Sequence, residues 1–187
     1  ACCFCQNIDG RWFILEELVS FNSSALPFGR EIVHRLNEKY EGYTVRAYCD
    51  PAGDAMSQTR DETPIEMLQI AGLTNAEAAP GNNDFLERTT ALDEKLRRLV
   101  GGQPAIVIDP SCSTLIGGLA GSYQFKRVQV RGGDRFQDVP DKTASSHVCE
   151  SLHYALLGGG EAVSLFNLDD DEFNDVEAWH PPHSHFM

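Results

Sequence analysis

The spacing of apolar residues in the first part of the chain predicts a strand hairpin followed by a helix. Apolar residues alternate or run together before and after Asp9-Gly10, a dipeptide typical of tight turns, which predicts antiparallel strands over 1–6 and 11–17. From residue 27 the apolar residues recur every three or four positions, so we predict an amphipathic helix over 27–41.

The rest of the chain alternates between the same two periods. In order, it predicts a short strand over 19–21, a strand over 43–49, helices over 65–73 and from 83 or 84 to 100, strands over 104–108 and 123–130, and a final helix within 141–157. Helices that alternate with strands are typical of an α/β fold, and the opening hairpin makes a mixed central sheet flanked by helices the expected arrangement.

Two of the predicted strands end in an aspartate followed by a proline. Pro51 and Pro110 have no amide hydrogen for a sheet ladder, so the strands must stop at Asp50 and Asp109. Open α/β sheets hold ligands and metals at the carboxyl ends of strands, whereas an Asp before Pro also commonly caps a turn. The local pattern does not choose between the two aspartates, and it leaves the turn as an alternative.

The last predicted helix supplies a second carboxylate. His147 and Glu150 are three residues apart and Tyr154 lies one turn further on, so the three side chains share a face. Together with Asp50, Glu150 would offer hard oxygen ligands to divalent cations, and two such ions can clamp the oxygens of a phosphodiester. A solvated acid near a helix N-terminus also explains Glu150, without any metal.

The composition is that of one ordinary globular domain. The 187 residues are 42% hydrophobic and 23% charged. No apolar run is long enough to span a bilayer and no secretion leader is visible, so we expect a soluble chain without a membrane partner. Ala1 falls inside a predicted strand, and we therefore interpret the chain as a fragment of a longer protein.

The formal net charge of −13 argues against a nucleic-acid partner, because phosphate contacts need Lys and Arg. The distribution of charge weakens that argument, since acidic residues concentrate over 169–177 in a segment typical of a solvated tail. The basic residues gather in the middle of the chain: Lys95, Arg97, Arg98, Lys126, Arg127, Arg131 and Arg135. The six cysteines have no regular spacing, which favours reduced thiols over disulfides or a zinc site.

Three stretches resemble the C-terminal nuclease domain of tailed-bacteriophage large terminases. They are C-D-P-A-G over 49–53, Q-P-A-I-V-I-D-P-S-C-S-T-L-I-G-G-L-A-G-S-Y over 103–123, and P-D-K-T-A-S-S-H-V-C-E-S-L-H-Y-A-L-L-G over 140–158. The last is the most diagnostic, because the family pattern there is approximately P-D-K-N-x-x-S-H-x-x-D-A-L-x-Y. The resemblance covers residues 1–160, and residues 161–187 would form an acidic, His-containing tail.

The resemblance implies an RNase H-like fold with an additional β-hairpin, and a metal-dependent endonuclease that cuts concatemeric viral double-stranded DNA during genome packaging. By the matching motifs, Asp50 corresponds to the second acid of a cluster that holds two Mg²⁺ or Mn²⁺ ions. Glu150 corresponds to the third, which is usually Asp, and His147 to a histidine near the active site. Asp109 is not one of the core acids.

The first acid of the family has no counterpart in this chain. By the resemblance it would precede Ala1, which makes the fragment alone a doubtful catalyst, and Glu16 or Glu17 is a weak substitute. Lys142 would contact the phosphate or brace its loop. The strand pair around 126–135 is the candidate for a DNA contact that does not depend on sequence, and a merely solvated hairpin is the alternative. The basic residues that would make this contact are Lys126, Arg127, Arg131 and Arg135.

The resemblance further implies partners: an upstream ATPase motor domain, the portal and the small terminase subunit. The expected location is the host cytoplasm, transiently at the procapsid portal. No G-x-x-x-x-G-K-[ST] phosphate loop occurs in this chain, so the motor would lie elsewhere.

Two alternatives stay open. One is another RNase H-like nuclease, such as a resolvase or recombinase, and the other is a catalytically weak docking module that binds DNA or portal. The histidines at 180, 183 and 185 could bind a metal, although the neighbouring prolines favour a disordered terminus.

Overall fold

The chain forms a mixed α/β structure, which confirms the predicted class. A computed structural model describes residues 1–54, 62–81, 83–130 and 133–161. The strands are β1 (Cys2–Ile8), β2 (Arg11–Leu18), β3 (Ala47–Cys49), β4 (Ala76–Ala78), β5 (Leu99–Val100), β6 (Gln103–Pro104), β7 (Ile106–Ile108), β8 (Phe125–Val130) and β9 (Gly133–Pro140). The helices are α1 (Ala25–Lys39), α2 (Pro64–Ala71), α3 (Phe85–Arg97), α4 (Ser113–Gly117) and α5 (Ala144–Leu156).

The strands pair in small sheets. In the described ranges, β1, β2 and β7 form a three-stranded mixed sheet in which β1 and β2 are antiparallel and β7 runs parallel to β2. Three further pairs are separate from it: β3 with β4 in parallel, β5 with β6 and β8 with β9 antiparallel. Within those ranges no helix is long and apolar enough to cross a bilayer.

The β1–β2 hairpin separates two apolar clusters. Its register shifts between Phe4 and Cys5, where Leu15 of β2 has no partner, so the side-chain alternation of β2 changes face there. Ile14 consequently packs with α3, α4 and α5, whereas Leu18 packs with Phe4 against α1 and α2. The bulge thus lets one strand contribute to cores on both sides of the sheet.

Several element bounds differ from the predictions. The strand predicted over 43–49 begins only at Ala47, and 19–21 is not a strand. The helix predicted to reach residue 100 ends at Arg97, because Arg98 takes extended backbone angles (φ −83°, ψ 146°). Residues 99–100 instead form β5, and Gly101 and Gly102, with positive φ angles of 57° and 77°, close a two-residue turn between β5 and β6. Strand β4 was not predicted, since Ala-Glu-Ala carries no β-branched or aromatic residue.

Helix α5 lies in the core and is the element that positions the candidate site. Thr143 caps it in a capping box with Ser146, and most of its length is buried among α3, α4 and the β1–β2 hairpin. All six cysteines are free thiols. Burial is the main cause that raises the pKa of Cys149 to about 12 and that of Cys112 to about 11, so both behave as small apolar side chains.

The segment that follows α5 approaches two aromatic rings through glycines. A Cβ atom at Gly158 would lie 2.1 Å from Cγ of Tyr48, and one at Gly159 would lie 2.1 Å from Cη2 of Trp12. Glu161 ends this segment; it accepts a 2.8 Å hydrogen bond from the Trp12 indole and pairs with the buried ammonium of Lys95. Because the expected tail begins at 161, this residue belongs to the fold rather than to the tail, and residues 162–187 lie outside the described ranges.

We expect Gly158→Ala to lower the free energy of unfolding by about 1–3 kcal/mol, because the added methyl group must displace the Tyr48 ring. Gly117→Ala is the matched control: Gly117 has a helical φ of −61° and open space around its Cβ position. Urea unfolding of both variants measures the difference, and an equal stability for the two would contradict this packing.

We also expect His153 to make the fold sensitive to acid. Its side chain is buried with Nδ1 unpartnered, and burial, followed by the nearby charge of Arg88, lowers its pKa to about 3. The unfolded histidine titrates near pH 6.5, so below that pH the unfolded state binds a proton that the folded state does not, and stability falls. At pH 5 the loss should reach about 2 kcal/mol.

The measurement is urea unfolding at pH 7 and pH 5 for the wild type and for His153→Gln, which carries no titratable group there. The wild type should lose more stability than the variant over this interval. Equal losses in the two proteins would mean that His153 is protonated in the folded state.

Candidate functional site

Asp50 lies directly after β3, at the start of a single helical turn over Pro51–Asp54. Its Oδ1 accepts a 2.9 Å hydrogen bond from the amide of Ala52, and its carbonyl accepts a 2.7 Å bond from the amide of Gly53. The aspartate therefore does cap a turn, as the simpler interpretation of the sequence holds. The same Oδ1 also accepts a 3.0 Å bond from Nδ2 of Asn83, which links it to a distant part of the chain.

Asn83 connects Asp50 to helix α5. It has a left-handed φ of 58°, a conformation that Asn tolerates better than most residues, and it directly precedes Asp84, the N-cap of α3. Its Oδ1 accepts a 3.0 Å hydrogen bond from the hydroxyl of Tyr154. The strand end and the helix are thus joined by one amide side chain that donates to Asp50 and accepts from Tyr154.

Arg88 continues the chain of contacts to Glu150. Its Nη1 donates a 3.0 Å hydrogen bond to the Tyr154 hydroxyl and lies 3.8 Å from Oε1 of Glu150. Glu150 and Tyr154 are four residues apart on α5, so they face the same side of the helix. Asp50 and Glu150 therefore stand at the two ends of one polar cluster, which comprises Asp50, Asn83, Tyr154, Arg88 and Glu150.

The hydroxyl of Tyr154 is within electrostatic reach of both acids. Burial is the largest cause that raises its pKa; the guanidinium of Arg88 acts in the opposite direction, and the carboxylates of Asp50 and Glu150 raise it further. The hydroxyl consequently stays protonated at neutral pH and can keep donating to Asn83.

Glu150 is the most enclosed acid of the polar cluster. Its side chain is 7% exposed, and the ammonium of Lys142 contacts both of its oxygens, at 2.8 Å and 2.9 Å. Lys142 itself is 61% exposed. The carboxylate thus has one buried cationic neighbour, Arg88, and one that extends from the surface.

Arg88 and Asn83 are site residues that the sequence analysis missed. Arg88 has a buried guanidinium placed 5.5 Å from the ring centroids of both Phe85 and Tyr154, and its Nε is buried with no hydrogen-bond partner. No motif marks an arginine in the second turn of an amphipathic helix. The one available signal was Tyr154, which shares a face of its helix with Glu150 and whose hydroxyl needs hydrogen-bond partners if it is buried.

His147 and Lys142 line a small surface cavity. The cavity has a volume of about 220 Å³ and is also lined by Ala1, Phe21 and the first residues of α5. His147 is exposed there, three residues before the buried Glu150. The structure therefore brings the start of β1, His147 and Lys142 to one edge of the polar cluster.

The other acids considered from the sequence have different partners. Asp109 follows β7, is exposed, and accepts hydrogen bonds from the amide and hydroxyl of Ser111, which lower its pKa. Glu16 pairs with Arg35 and Lys39 of α1. Glu17 accepts 2.8 Å bonds from the amides of Thr114 and Leu115 at the start of α4. The contacts of Glu16 and Glu17 anchor helices and those of Asp109 close a turn, and none of them connects its acid to the polar cluster.

The β8–β9 hairpin carries the basic residues expected to face DNA. Lys126, Arg127 and Arg135 are exposed, while Arg131 lies outside the described residues. Phe125, at the base of the hairpin, packs against Phe85 of α3 with ring centroids 5.5 Å apart. Since β9 ends at Pro140, two residues before Lys142, the hairpin starts from the edge of the polar cluster.

The donor groups suit a divalent cation in kind but not in number. Asp50 and Glu150 offer carboxylate oxygens, the ligands that Mg²⁺ and Mn²⁺ prefer. Across the described ranges, however, no group of three or more His, Cys, Asp or Glu side chains is placed to hold a metal ion. The polar cluster therefore offers two carboxylate ligands, fewer than a two-ion centre needs.

Comparison with known proteins found no matching family model, no matching curated protein and no matching solved structure.

We expect Tyr154→Phe to destabilise the fold by about 1–3 kcal/mol, because Arg88 Nη1 loses its hydrogen-bond acceptor and Asn83 Oδ1 loses its donor. Tyr123→Phe is the matched control, since the buried hydroxyl of Tyr123 has no hydrogen-bond partner and its removal should cost nothing. Thermal unfolding of both variants makes the comparison. A larger loss for Tyr123→Phe than for Tyr154→Phe would contradict the hydrogen-bonded polar cluster.

Proposed function

We propose that this chain is the nuclease domain of a terminase-like packaging enzyme, an endonuclease that uses a divalent cation to hydrolyse phosphodiester bonds of double-stranded DNA. The observation that carries the proposal is the polar cluster itself. An aspartate at a strand end and a glutamate about a hundred residues later are linked through one tyrosine hydroxyl, Asp50 by way of Asn83 and Glu150 by way of Arg88. Ordinary turn and surface roles for the two acids do not require that link.

In this proposal Asp50 and Glu150 are the metal ligands. A bound Mg²⁺ or Mn²⁺ ion would supply Lewis-acid stabilisation of the charge that develops on the phosphate oxygens. The family resemblance implies two such ions, and the ligand that completes the set is the acid expected before Ala1. The cavity beside Ala1 and Lys142 supports this arrangement, since it puts the start of β1 at the edge of the polar cluster.

The remaining residues of the polar cluster would orient these two ligands. Tyr154 donates to Asn83, and Asn83 in turn donates to Oδ1 of Asp50, which would fix the orientation of that carboxylate. Arg88 offsets the negative charge of the buried Glu150 carboxylate, where uncompensated charge would be costly. His147, exposed at the cavity, is placed where it could hold or donate a proton near the substrate.

The DNA would lie along the β8–β9 hairpin and across the cavity. The exposed cations of the hairpin, Lys126, Arg127 and Arg135, would contact phosphates without reading the sequence. This placement answers the objection from net charge, because the charges that face the substrate are the basic ones. Binding should accordingly weaken as the salt concentration rises.

The fold family, the partners and the site of action belong to the same proposal. We infer an RNase H-like fold, with β1, β2 and β7 as the part of its central sheet that carries the opening hairpin. By the resemblance, the partners would be double-stranded DNA, an ATPase motor domain ahead of this one, the portal and the small terminase subunit. The site of action would be the host cytoplasm.

One observation favours a second candidate, a docking module that binds DNA or portal with little cleavage. Lys142 already neutralises both oxygens of Glu150, and the described residues provide no third metal ligand. Salt-sensitive DNA binding without metal-dependent nicking, in a protein that extends before Ala1, would favour this candidate over the nuclease.

We expect Asp50→Asn and Glu150→Gln to reduce Mn²⁺-dependent nicking of supercoiled plasmid on the order of 100-fold or more, because each removes a metal ligand. The protein tested should extend before Ala1, so that the expected first acid is present. Asp109→Asn is the matched control, because Asp109 also follows a strand and precedes a proline, but its carboxylate bonds Ser111 of its own turn within the described residues.

Nicking by Asp109→Asn should equal that of the wild type. If Asp50→Asn cleaves as well as Asp109→Asn, the assignment of Asp50 as a metal ligand is wrong. Circular dichroism of each variant confirms that the fold is retained.

A further inference from the structure

The β8–β9 hairpin exposes a surface that is both basic and aromatic. Lys126, Arg127 and Arg135 are exposed, and Phe136, the cross-strand partner of Arg127, is 62% exposed. Within the described residues β8 and β9 pack mainly on each other, so these four side chains form a basic hairpin surface that faces solvent. Phosphate contacts would use the three cations but not the ring of Phe136. The surface therefore suits a partner that carries both acidic and apolar side chains.

The same chain carries a segment of complementary composition. Six of its 28 acidic residues lie within residues 169–177, an acidic segment with the sequence D-D-D-E-F-N-D-V-E. Phe173 and Val176 place apolar side chains among these acids. No Lys or Arg follows Lys142 in the sequence, so the acids have no basic neighbour along the chain. A cationic partner for the acidic segment must come from elsewhere in the fold or from another molecule.

The fold fixes the point from which the acidic segment departs. Glu161 pairs with the buried ammonium of Lys95 near the end of α3, whereas the base of the hairpin packs on Phe85, at the start of the same helix. Ten helical residues separate these two points, a distance of about 15 Å along the axis. Residues 162–168 can span up to about 25 Å when extended. The acidic segment can therefore reach the base of the hairpin on its own chain.

We propose that the acidic segment binds the basic hairpin surface of the same chain and competes with DNA for its cations. Ion pairs between exposed side chains are individually weak. The short tether compensates for this, because it holds the segment at an effective concentration on the order of millimolar. DNA carries a higher density of negative charge, so it displaces the segment when it binds.

The contact and its consequence for DNA have different premises. The contact follows from charge, composition and reach, and it holds whether or not the chain is a nuclease. The competition rests on the proposed function, since it takes the hairpin to face DNA. The acidic segment would then limit binding to duplexes that outcompete it.

The contact is tested by carbodiimide crosslinking of the 187-residue chain without DNA, since this reagent joins carboxylates to amines that touch them. The chain has four lysines, of which Lys126 lies on the hairpin. We expect mass spectrometry to find links from Lys126 to residues 169–177. These links should disappear in about 0.5 M NaCl, because salt screens contacts between exposed charges.

Lys39 is the matched control for this experiment. It is half-exposed on α1, on the other side of the β1–β2 hairpin from α3, and its ammonium lies 2.8 Å from Oε2 of Glu16. It should link to Glu16 and not to the acidic segment.

The competition is tested by neutralising four acids and measuring affinity for a random-sequence duplex by fluorescence anisotropy, at low salt and without divalent cations. The neutralised variant should bind about three- to tenfold more tightly than the wild type, because the competing ion pairs are lost. Its changes are Asp169→Asn, Asp170→Asn, Asp171→Asn and Glu172→Gln. The control variant loses the same charge from exposed positions of the described fold: Glu31→Gln, Glu41→Gln, Glu62→Gln and Glu77→Gln.

The gain should also depend on the hairpin. In a background that carries Lys126→Gln and Arg135→Gln, the neutralised variant should bind DNA no more tightly than that background alone. A gain that persists there would mean that the acidic segment acts through net charge and not through the hairpin.

The outcomes separate the contact from the competition. Links to the acidic segment that are as frequent at Lys39 as at Lys126 would overturn the contact. Equal affinities for the neutralised and control variants would overturn the competition. Links at Lys126 in a protein that binds no DNA in any variant would overturn the DNA role of the hairpin, and the contact would stand.

Discussion

The hydroxyl of Tyr154 is the contact on which the candidate site depends. It accepts from the buried guanidinium of Arg88 and donates to Asn83, which in turn holds Asp50. Without it, Asn83 would lose the donor that ties it to α5, and the guanidinium of Arg88 would keep only its 3.8 Å ion pair with Glu150. One side chain of α5 therefore fixes the relation between an aspartate and a glutamate that are far apart in sequence.

The position of that hydroxyl is set by the packing of α5. Gly158 and Gly159 let the end of the helix approach the rings of Tyr48 and Trp12, and Glu161 closes the contact by pairing with Lys95 and the Trp12 indole. Tyr48 belongs to β3, the strand that ends at Asp50. The close approach that the glycines allow is thus also what brings the strand end against the helix. The same contacts determine the stability of the fold and the geometry of the site, so a substitution that weakens them should alter both.

Much of the fold and part of the site could be predicted from the sequence. Apolar periodicity identified the opening hairpin and helices α1, α2, α3 and α5, because burial follows period in amphipathic elements; it did not identify the five-residue helix α4. Asp50 and Glu150 were selected from their motifs, whereas periodicity alone could not separate Asp50 from Asp109. The structure distinguishes the two side chains by their partners: the Asp50 carboxylate accepts from Asn83, whereas the Asp109 carboxylate accepts from Ser111.

The residues that the sequence could not predict are those whose role depends on tertiary contacts. In the sequence, Arg88 is an ordinary charged position on an amphipathic helix, and Asn83 is a loop residue before a helix cap. The pairing of Lys142 with Glu150 likewise joins a loop residue to a helix residue eight positions later. The bulge opposite Phe4 and Cys5 was equally hidden, because an extra residue in a strand only becomes visible in its register.

The most direct test of this account is a crystal structure of the chain grown with Mn²⁺, in which anomalous scattering locates the ion. We expect an anomalous peak within coordination distance of the Asp50 and Glu150 carboxylates. A peak elsewhere, or carboxylates that face different sides of the molecule, would contradict it.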